Sequence, residues 1–227
     1  MSERTEVEAS SPPRVPPRVP TPGRAPAAPG APPLRPHALH DLRRGRGPAV
    51  LNYPPGDVLV VAGLPGSGKS TLLRRCVQAA RVIDSQQVRA EYAARVPAWL
   101  PYAVYRPFVR LDHYRRLRRA LLAGGSLAVH DCGALPWVRQ WLARTAARQG
   151  RRLHLVLLEA SPLEAREGQL ARGQTVSAYA FARHRSAARA LRHRLAGSGA
   201  PPDGCASAVV LDRAGARALR EIAFRAA

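Results

Sequence analysis

Short apolar runs alternate with longer stretches of helical periodicity from about residue 55 onward. The runs that predict buried strands are, in chain order, DVLVVAG, RVID, SLAVHD, RLHLVLLEA and ASAVVLD. Each is short, rich in β-branched residues or leucine, and followed by a segment whose apolar positions recur at helical spacing. Five such strands joined by helices predict an α/β fold, with a doubly wound five-stranded parallel sheet and helices on both faces.

The segments between the runs predict the helices. One helix is expected from about Lys69 to Ala80, and SQQVRAEYAARV and LPWVRQWLARTAARQG predict helices after the second and third strands. SPLEAREGQLARG follows the fourth strand and begins with a capping box, in which Ser161 is the N-cap and Glu164 its partner. RAGARALREIAF predicts a last helix after the fifth strand.

The amino-terminal region has a different composition. Proline recurs every few residues from Ser10 to Pro36, which blocks helical hydrogen bonding, and few large apolar side chains are present to form a core. We therefore expect a disordered tail over residues 1–50, including the RRGRGP run, and one folded domain over residues 51–227. The tail is also a candidate docking segment for a partner domain.

The net charge of +21 suggests a polyanionic partner such as a nucleic acid. However, Lys69 is the only lysine, and the arginines are spread along an alanine-rich, glycine-rich and proline-rich chain, as a GC-rich coding bias produces. A nucleic-acid partner is therefore possible but not favoured. The single lysine instead marks a position that needs a compact ammonium on a flexible stem.

Cysteine usage and hydropathy indicate the compartment. Cys76, Cys132 and Cys205 are odd in number and widely spaced, so they predict neither a disulfide framework nor a zinc site. The first ten residues are charged, and the longest apolar run is much shorter than a membrane span. We expect a cytoplasmic protein without a membrane segment.

The strongest motif is GLPGSGKS, which matches the pattern G-x-x-x-x-G-K-[ST] between a predicted strand and a predicted helix. It predicts a P-loop NTPase fold that binds ATP and Mg²⁺. Lys69 is expected to reach the β- and γ-phosphates, and the Ser70 hydroxyl to bind Mg²⁺. The predicted nucleotide-binding residues are Gly63, Leu64, Pro65, Gly66, Ser67, Gly68, Lys69, Ser70 and Thr71.

Other candidate residues follow the later strands. Asp131 ends the third apolar run and is the predicted carboxylate of the Mg²⁺ site, although an ordinary N-cap aspartate is the alternative. Arg172, beside Gly173 at a predicted helix end, is the expected catalytic arginine, and Arg166, Arg183 and Arg185 are further candidates for a mobile lid. The aromatic residues between the second and third strands either stack on an acceptor or pack a helix on the sheet; they are Trp99, Tyr102, Tyr105 and Phe108.

Taken in order, GLPGSGKST, VIDSQQVR, AVHDCG with WVRQWLA, and LLEASPLEAREGQLARG resemble the small P-loop kinases of the polynucleotide-kinase, gluconate-kinase and zeta-toxin group, often labelled AAA-type ATPases. The similarity covers roughly residues 57–225. It implies transfer of the γ-phosphate of ATP to a hydroxyl whose proton is taken by an aspartate in a D-x-x-R segment. Here Arg89 matches the arginine but Gln86 stands at the aspartate position, and glutamine cannot act as a general base. Asp84, at the strand end, is the candidate replacement.

The leading functional prediction is an ATP-dependent kinase that phosphorylates a hydroxyl of a small molecule or of a nucleic-acid end, with Lys69, Asp84 and Arg172 as catalytic residues. Asp131 is the alternative to Asp84 as the residue that assists the acceptor. An ATP hydrolase or nucleotide-gated switch without a phosphoryl acceptor is the first alternative, because Gln86 is not a base. A nucleic-acid-binding module with a vestigial nucleotide site is the second.

Overall fold

The structure, a computed structural model, describes residues 32–45, 47–130, 136–171 and 177–226. The strands of these residues are β1 (Leu39–Asp41), β2 (Val50–Tyr53), β3 (Val58–Gly63), β4 (Arg81–Asp84), β5 (Leu127–His130), β6 (Leu153–Leu158), β7 (Ser207–Leu211) and β8 (Glu221–Phe224). The helices are α1 (Lys69–Cys76), α2 (Ser85–Ala93), α3 (Tyr102–Leu122), α4 (Pro136–Ala147), α5 (Pro162–Leu170), α6 (Ala178–Ser198) and α7 (Arg213–Ala218). None of these helices combines the length and the apolarity that crossing a membrane requires.

The main sheet is parallel and has the strand order β1-β7-β6-β3-β5-β4. The five strands predicted from the apolar runs are β3 to β7, and the predicted α/β fold with a central parallel sheet is confirmed. Strand β3 lies between β5 and β6, so the chain winds first to one side of β3 and then to the other. Ligands of such sheets bind outside the carboxyl ends of the strands at this switch point.

Alternate side chains of the strands supply two cores, one on each face of the sheet. In β3, Val58, Val60 and Ala62 face the core that is covered by α3, α4 and α6. Leu59 and Val61 face the opposite core, which α1, β2 and β8 cover. Because both faces are covered, the strands contain nearly continuous apolar residues, as buried parallel strands do.

The structured region begins earlier in the chain than the composition indicates. β1 lies within the expected tail of residues 1–50, yet it pairs in parallel with β7 and extends the main sheet to six strands. Leu34 is hydrogen-bonded to both Val50 and Asn52 through backbone groups. Such short edge segments are stabilised by long-range pairing, which a local composition cannot reveal.

The predicted last helix is wrong in its second half. α7 ends at Ala218, and residues Glu221–Phe224 form β8, which pairs in parallel with β2. Ile222 and Phe224 are buried there, so tertiary packing overrides the helical periodicity of this segment. Helix α1 is also shorter than predicted, because Val77 turns to an extended conformation and bridges to Ile222.

Candidate active site

The phosphate loop runs from the carboxyl end of β3 to the first residue of α1. Gly66 and Gly68 have φ angles of 87° and 100°, in the left-handed region that favours glycine. Gly68 is the N-cap of α1 and makes no side-chain capping hydrogen bond. The first N–H groups of this helix therefore point to the loop without a side-chain acceptor, which suits an anion such as a phosphate.

Helix α5 packs directly on the loop. A Cβ atom added to Gly66 would lie 2.0 Å from the Ala165 carbonyl oxygen, and one added to Gly168 would lie 2.2 Å from the Gly66 carbonyl oxygen. The Gln169 amide donates to the Pro65 carbonyl over 3.1 Å. Two glycines thus permit a backbone contact that holds the loop against α5, and Gly168 is a residue that the sequence motif did not indicate.

Lys69 is buried in the loop, with only 3% of its surface exposed. Its ammonium Nζ donates to the carbonyl oxygens of Gly63 over 3.0 Å and Leu64 over 2.7 Å. The side chain is therefore held along the inside of the loop, on the path that bound phosphates would follow. A lysine in this position supplies a positive charge close to the uncapped end of α1.

A polar group, which we call the carboxyl-edge cluster, consists of Ser70, Asp84 and His130. Asp84 and His130 are register partners at the ends of β4 and β5, and the His130 imidazole donates from Nδ1 to the Asp84 carboxylate. The Ser70 hydroxyl lies 3.4 Å from the same nitrogen. The cluster therefore connects the phosphate loop to the ends of two neighbouring strands.

Asp84 is ionised and firmly held. Its carboxylate accepts from the Gln86 backbone N–H over 2.8 Å, which caps α2. Burial opposes ionisation, but hydrogen bonds from His130, Gln86 and Ser70 outweigh it and lower the pKa of Asp84 to about 2. The residue proposed as the base is thus a carboxylate at neutral pH, as a proton acceptor must be.

The oxygen donors of this cluster fit a magnesium ion. Ser70 is buried and its hydroxyl is near enough to the Asp84 carboxylate to help lower its pKa, and Mg²⁺ prefers oxygen ligands of this kind. Within the described ranges, no three or more His, Cys, Asp or Glu side chains lie together as a group that could hold a metal ion. Asp131 and Arg172 lie outside the described residues, so their assigned roles stay predictions.

A cleft of about 260 Å³ adjoins the outer side of the loop. Its walls come from the loop, α1, α5 and α7, and its lining includes Gly68, Thr71, Arg75, Arg213 and Ala216. Arg75 donates to the Leu219 carbonyl over 3.0 Å, which ties α1 to the end of α7. The predicted binding residues Gly63 to Thr71 thus form one continuous segment between this cleft and the carboxyl-edge cluster.

Two histidines that lie near the site, His113 and His184, were not identified from the sequence. Burial, followed by the charge of His130, lowers the pKa of His113 to about 4. Burial also lowers the pKa of His184 on α6, with Lys69 as the next cause. The Nδ1 atoms of both are buried without a hydrogen-bond partner in the described part of the chain. In the sequence, each of them is only an isolated histidine within a helical segment, which does not indicate a functional site.

The candidate lid arginines and aromatics lie in different environments. The Arg166 guanidinium lies 5.6 Å from the centre of the Phe181 ring, which links α5 to α6. Arg183 and Arg185 are exposed on α6. Trp99 and Phe108 are 78% and 61% exposed, so neither packs a helix on the sheet as the packing interpretation requires.

The sequence of this chain matches the AAA domain family over residues 58–196, which include the phosphate loop and the carboxyl-edge cluster. No curated protein is similar enough to count as a match.

Solved structures resemble the chain at low identity. A protein of Chloroflexus aurantiacus assigned as a kinase has 15% identity and a TM-score of 0.47, covering 69% of this chain and 87% of its own. APS kinase from Mycobacterium tuberculosis has 24% identity and a TM-score of 0.35, with coverages of 51% and 69%. A gluconokinase from Sinorhizobium meliloti has 18% identity and a TM-score of 0.40, with coverages of 72% and 90%.

The family match confirms the interpretation reached from the sequence motifs. The complete phosphate loop lies at the switch point of the parallel sheet, inside the matched range. The chain is a nucleotide-binding enzyme, an ATP-dependent phosphotransferase or ATPase. Since the match covers well over half of its residues, the chain belongs to the AAA domain family.

Proposed function

We propose that this protein is a kinase that transfers the γ-phosphate of ATP to a hydroxyl group of a small molecule or of a nucleic-acid end. The observation that supports this proposal is the continuity between the loop and the carboxyl-edge cluster. Ser70 belongs to α1 and contacts His130, and His130 is hydrogen-bonded to the candidate base Asp84. Phosphoryl transfer depends mainly on such positioning, together with electrostatic stabilisation.

The proposed role of each residue follows from its position in the fold. Lys69 and the uncapped N–H groups of α1 bind the phosphates, and the cleft beside Thr71 and Arg75 receives the nucleoside. Asp84, ionised and oriented by His130, accepts the proton of the attacking hydroxyl. Ser70, with carboxylate oxygens of Asp84 or Asp131, would hold Mg²⁺. When bound, this ion neutralises charge on the phosphate oxygens.

A second candidate is ATP hydrolysis, and Gln86 favours it. The Gln86 side-chain oxygen Oε1 is buried and has no hydrogen-bond donor among the described residues. A glutamine can orient an attacking water molecule in this class of protein without acting as a base. In this case water takes the place of the acceptor hydroxyl.

Incubation with γ-labelled ATP and a panel of hydroxyl acceptors tests the two functions. Label in an acceptor supports the kinase, and label only in inorganic phosphate supports hydrolysis. Lys69→Ala is expected to reduce turnover by about 10² to 10³, because a preorganised charge on the transferred group is lost. The matched control is Arg74→Ala on the exposed side of α1, which should retain turnover. Unchanged turnover of a folded Lys69→Ala variant would contradict the role of the loop.

A further inference from the structure

The buried face of α3 continues past the sheet as a charged face. In the carboxyl-terminal half of the helix, Leu117 and Leu121 on this face are buried in the core. Towards the amino terminus, the same face carries Arg110, Arg106 and Tyr102, spaced by one helical turn. Arg106 and Arg110 are exposed, and no carboxylate of the described residues forms an ion pair with either. This half of the face therefore presents uncompensated cations.

These cations belong to the same helix as His113, which lies near the carboxyl edge of the sheet. His113 on α3 is close enough to Asp84 and His130 for their charges to affect its pKa. A helix rises about 1.5 Å per residue, so Arg110 is about 4.5 Å and Arg106 about 10 Å further along the axis. The charge of Arg110 also lowers the pKa of His184 on α6, after the larger effects of burial, Lys69 and Arg183. Arg110 is thus close enough to His184 for its charge to act on that imidazole.

A third guanidinium belongs to the same group. The Arg89 guanidinium lies 4.1 Å from the centre of the Tyr102 ring, and Tyr105 meets that ring edge to face at 5.3 Å. Stacking uses the flat face of a guanidinium and leaves its N–H edges available to an anion. Arg89, Arg106 and Arg110, which we call the acceptor arginines, are therefore donors near the amino-terminal half of α3.

We propose that the acceptor arginines bind the anionic group of the phosphoryl acceptor, and that this acceptor is a hydroxyl compound carrying a phosphate group. This inference rests on the proposed kinase function and adds the chemical class of its substrate. Guanidinium groups bind phosphate oxygens through paired hydrogen bonds, and an uncharged sugar would leave Arg106 and Arg110 without an opposite charge. Asp84 caps the helix α2 that carries Arg89, so a bound phosphate would place a hydroxyl of the same molecule towards the base.

The test uses the full chain loaded with Mg²⁺ and AMPPNP, so that the phosphate loop is filled before inorganic phosphate is titrated as the probe. Calorimetry on the unaltered protein should detect a phosphate site. The double variant Arg106→Gln with Arg110→Gln should weaken it by about tenfold or more for each arginine removed. The control is Arg115→Gln with Arg118→Gln, which removes equal charge from exposed positions on the other side of α3 and should retain the site.

Three results would overturn the proposal: no phosphate binding to the loaded protein, undiminished binding to the Arg106 and Arg110 variant, or equal loss in both double variants. AMPPNP binding is measured before phosphate is added. If AMPPNP does not bind at all, the result contradicts the kinase function instead. All four altered side chains are exposed, so melting temperatures should agree among the three proteins. Competition by a sugar phosphate or by a short oligonucleotide then distinguishes the source of the phosphate group.

Discussion

The two ends of the sheet each contain a serine, a histidine and an aspartate in contact. At the carboxyl end these are Ser70, His130 and Asp84. At the amino end they are Asp57, His154 and Ser207, which we call the amino-edge cluster. In each cluster two members are register partners on neighbouring strands: Asp84 with His130, and His154 with Ser207. Their environments differ, and the proposed function assigns a chemical role to the carboxyl-edge cluster alone.

In the amino-edge cluster every polar atom is used within the fold. His154 Nε2 lies 3.0 Å from one Asp57 carboxylate oxygen, and the other oxygen accepts from the Arg152 N–H over 2.7 Å. His154 Nδ1 lies 2.8 Å from the Ser207 hydroxyl, and the Tyr53 ring packs on the imidazole at 4.8 Å. Ser207 has no exposed surface, so it cannot reach a substrate as a catalytic serine must.

The carboxyl-edge cluster adjoins the phosphate loop. Ser70 is the residue after Lys69 and belongs to the first turn of α1, beside the uncapped N–H groups. Open parallel sheets bind ligands at this end, since the loops that follow the strands converge there. Under the proposed function, the same three residue types stabilise the fold at one end of the sheet and take part in chemistry at the other, and their position relative to strand direction makes the distinction.

The largest expected effect comes from Asp84→Asn. If this carboxylate accepts the hydroxyl proton, the substitution should slow phosphoryl transfer by about 10² to 10⁴ while ATP still binds through the loop. Labelled transfer and ATP titration measure the two effects separately. The matched change Asp57→Asn should leave the transfer rate per folded molecule unchanged. Equal loss of rate in both variants would remove the functional distinction between the clusters.

Asp57→Asn should instead reduce stability. An asparagine amide cannot accept from both His154 and the Arg152 N–H, so one buried donor loses its partner at a cost of about 1 to 3 kcal/mol. Urea denaturation followed by circular dichroism measures the free energy of unfolding. A stability equal to that of the unaltered protein would show that the amino-edge cluster is not a structural anchor.

The pH dependence of stability distinguishes the histidines. The folded state holds the pKa of His113 at about 4, below its ordinary value, so the unfolded chain takes up the proton first as the pH falls. Stability present above about pH 6.5 is then lost towards pH 4, by about 2 kcal/mol between pH 7 and pH 5. His113→Gln should reduce this loss, and His193→Gln, at an exposed position of α6, should not. Melting temperatures across this range provide the measurement.

The smallest expected effect is that of deleting residues 1–31, whose proline-rich composition offers little apolar area to bury. The free energy of unfolding should change by less than about 0.5 kcal/mol. Deleting residues 1–48 should lower the melting temperature, because it also removes β1 from the edge of the sheet. Equal melting temperatures for the two truncations would show that β1 contributes nothing to stability.

The sequence predicted the features that depend on local pattern. Strands β3, β5, β6 and β7 consist mainly of apolar residues, and the phosphate loop is a contiguous motif, so both could be identified without the fold. The capping box of Ser161 and Glu164 is local in the same sense, and the structure contains it.

The features that were missed depend on distant contacts. β1 has only three residues and the segment of β8 shows helical periodicity, and each of these strands is defined by a partner far along the chain. His113, His184 and Gly168 come from three different helices, and only the packing of these helices brings them near the loop. The sequence supplied Asp84 as a candidate base but gave no indication that His130 orients it.

The pairing of β2 with β8 affects the order in which the fold can be completed during synthesis. Ribosomes release a chain from its amino terminus, so Val50–Tyr53 emerges long before Glu221–Phe224. Leu51 and Tyr53, which are buried in the folded protein, lack this covering strand until Glu221–Phe224 has been made. β1 likewise waits for β7. The nascent polypeptide therefore carries strands without partners until Glu221–Phe224 has been made, and this is the interval in which a chaperone would be most useful to it.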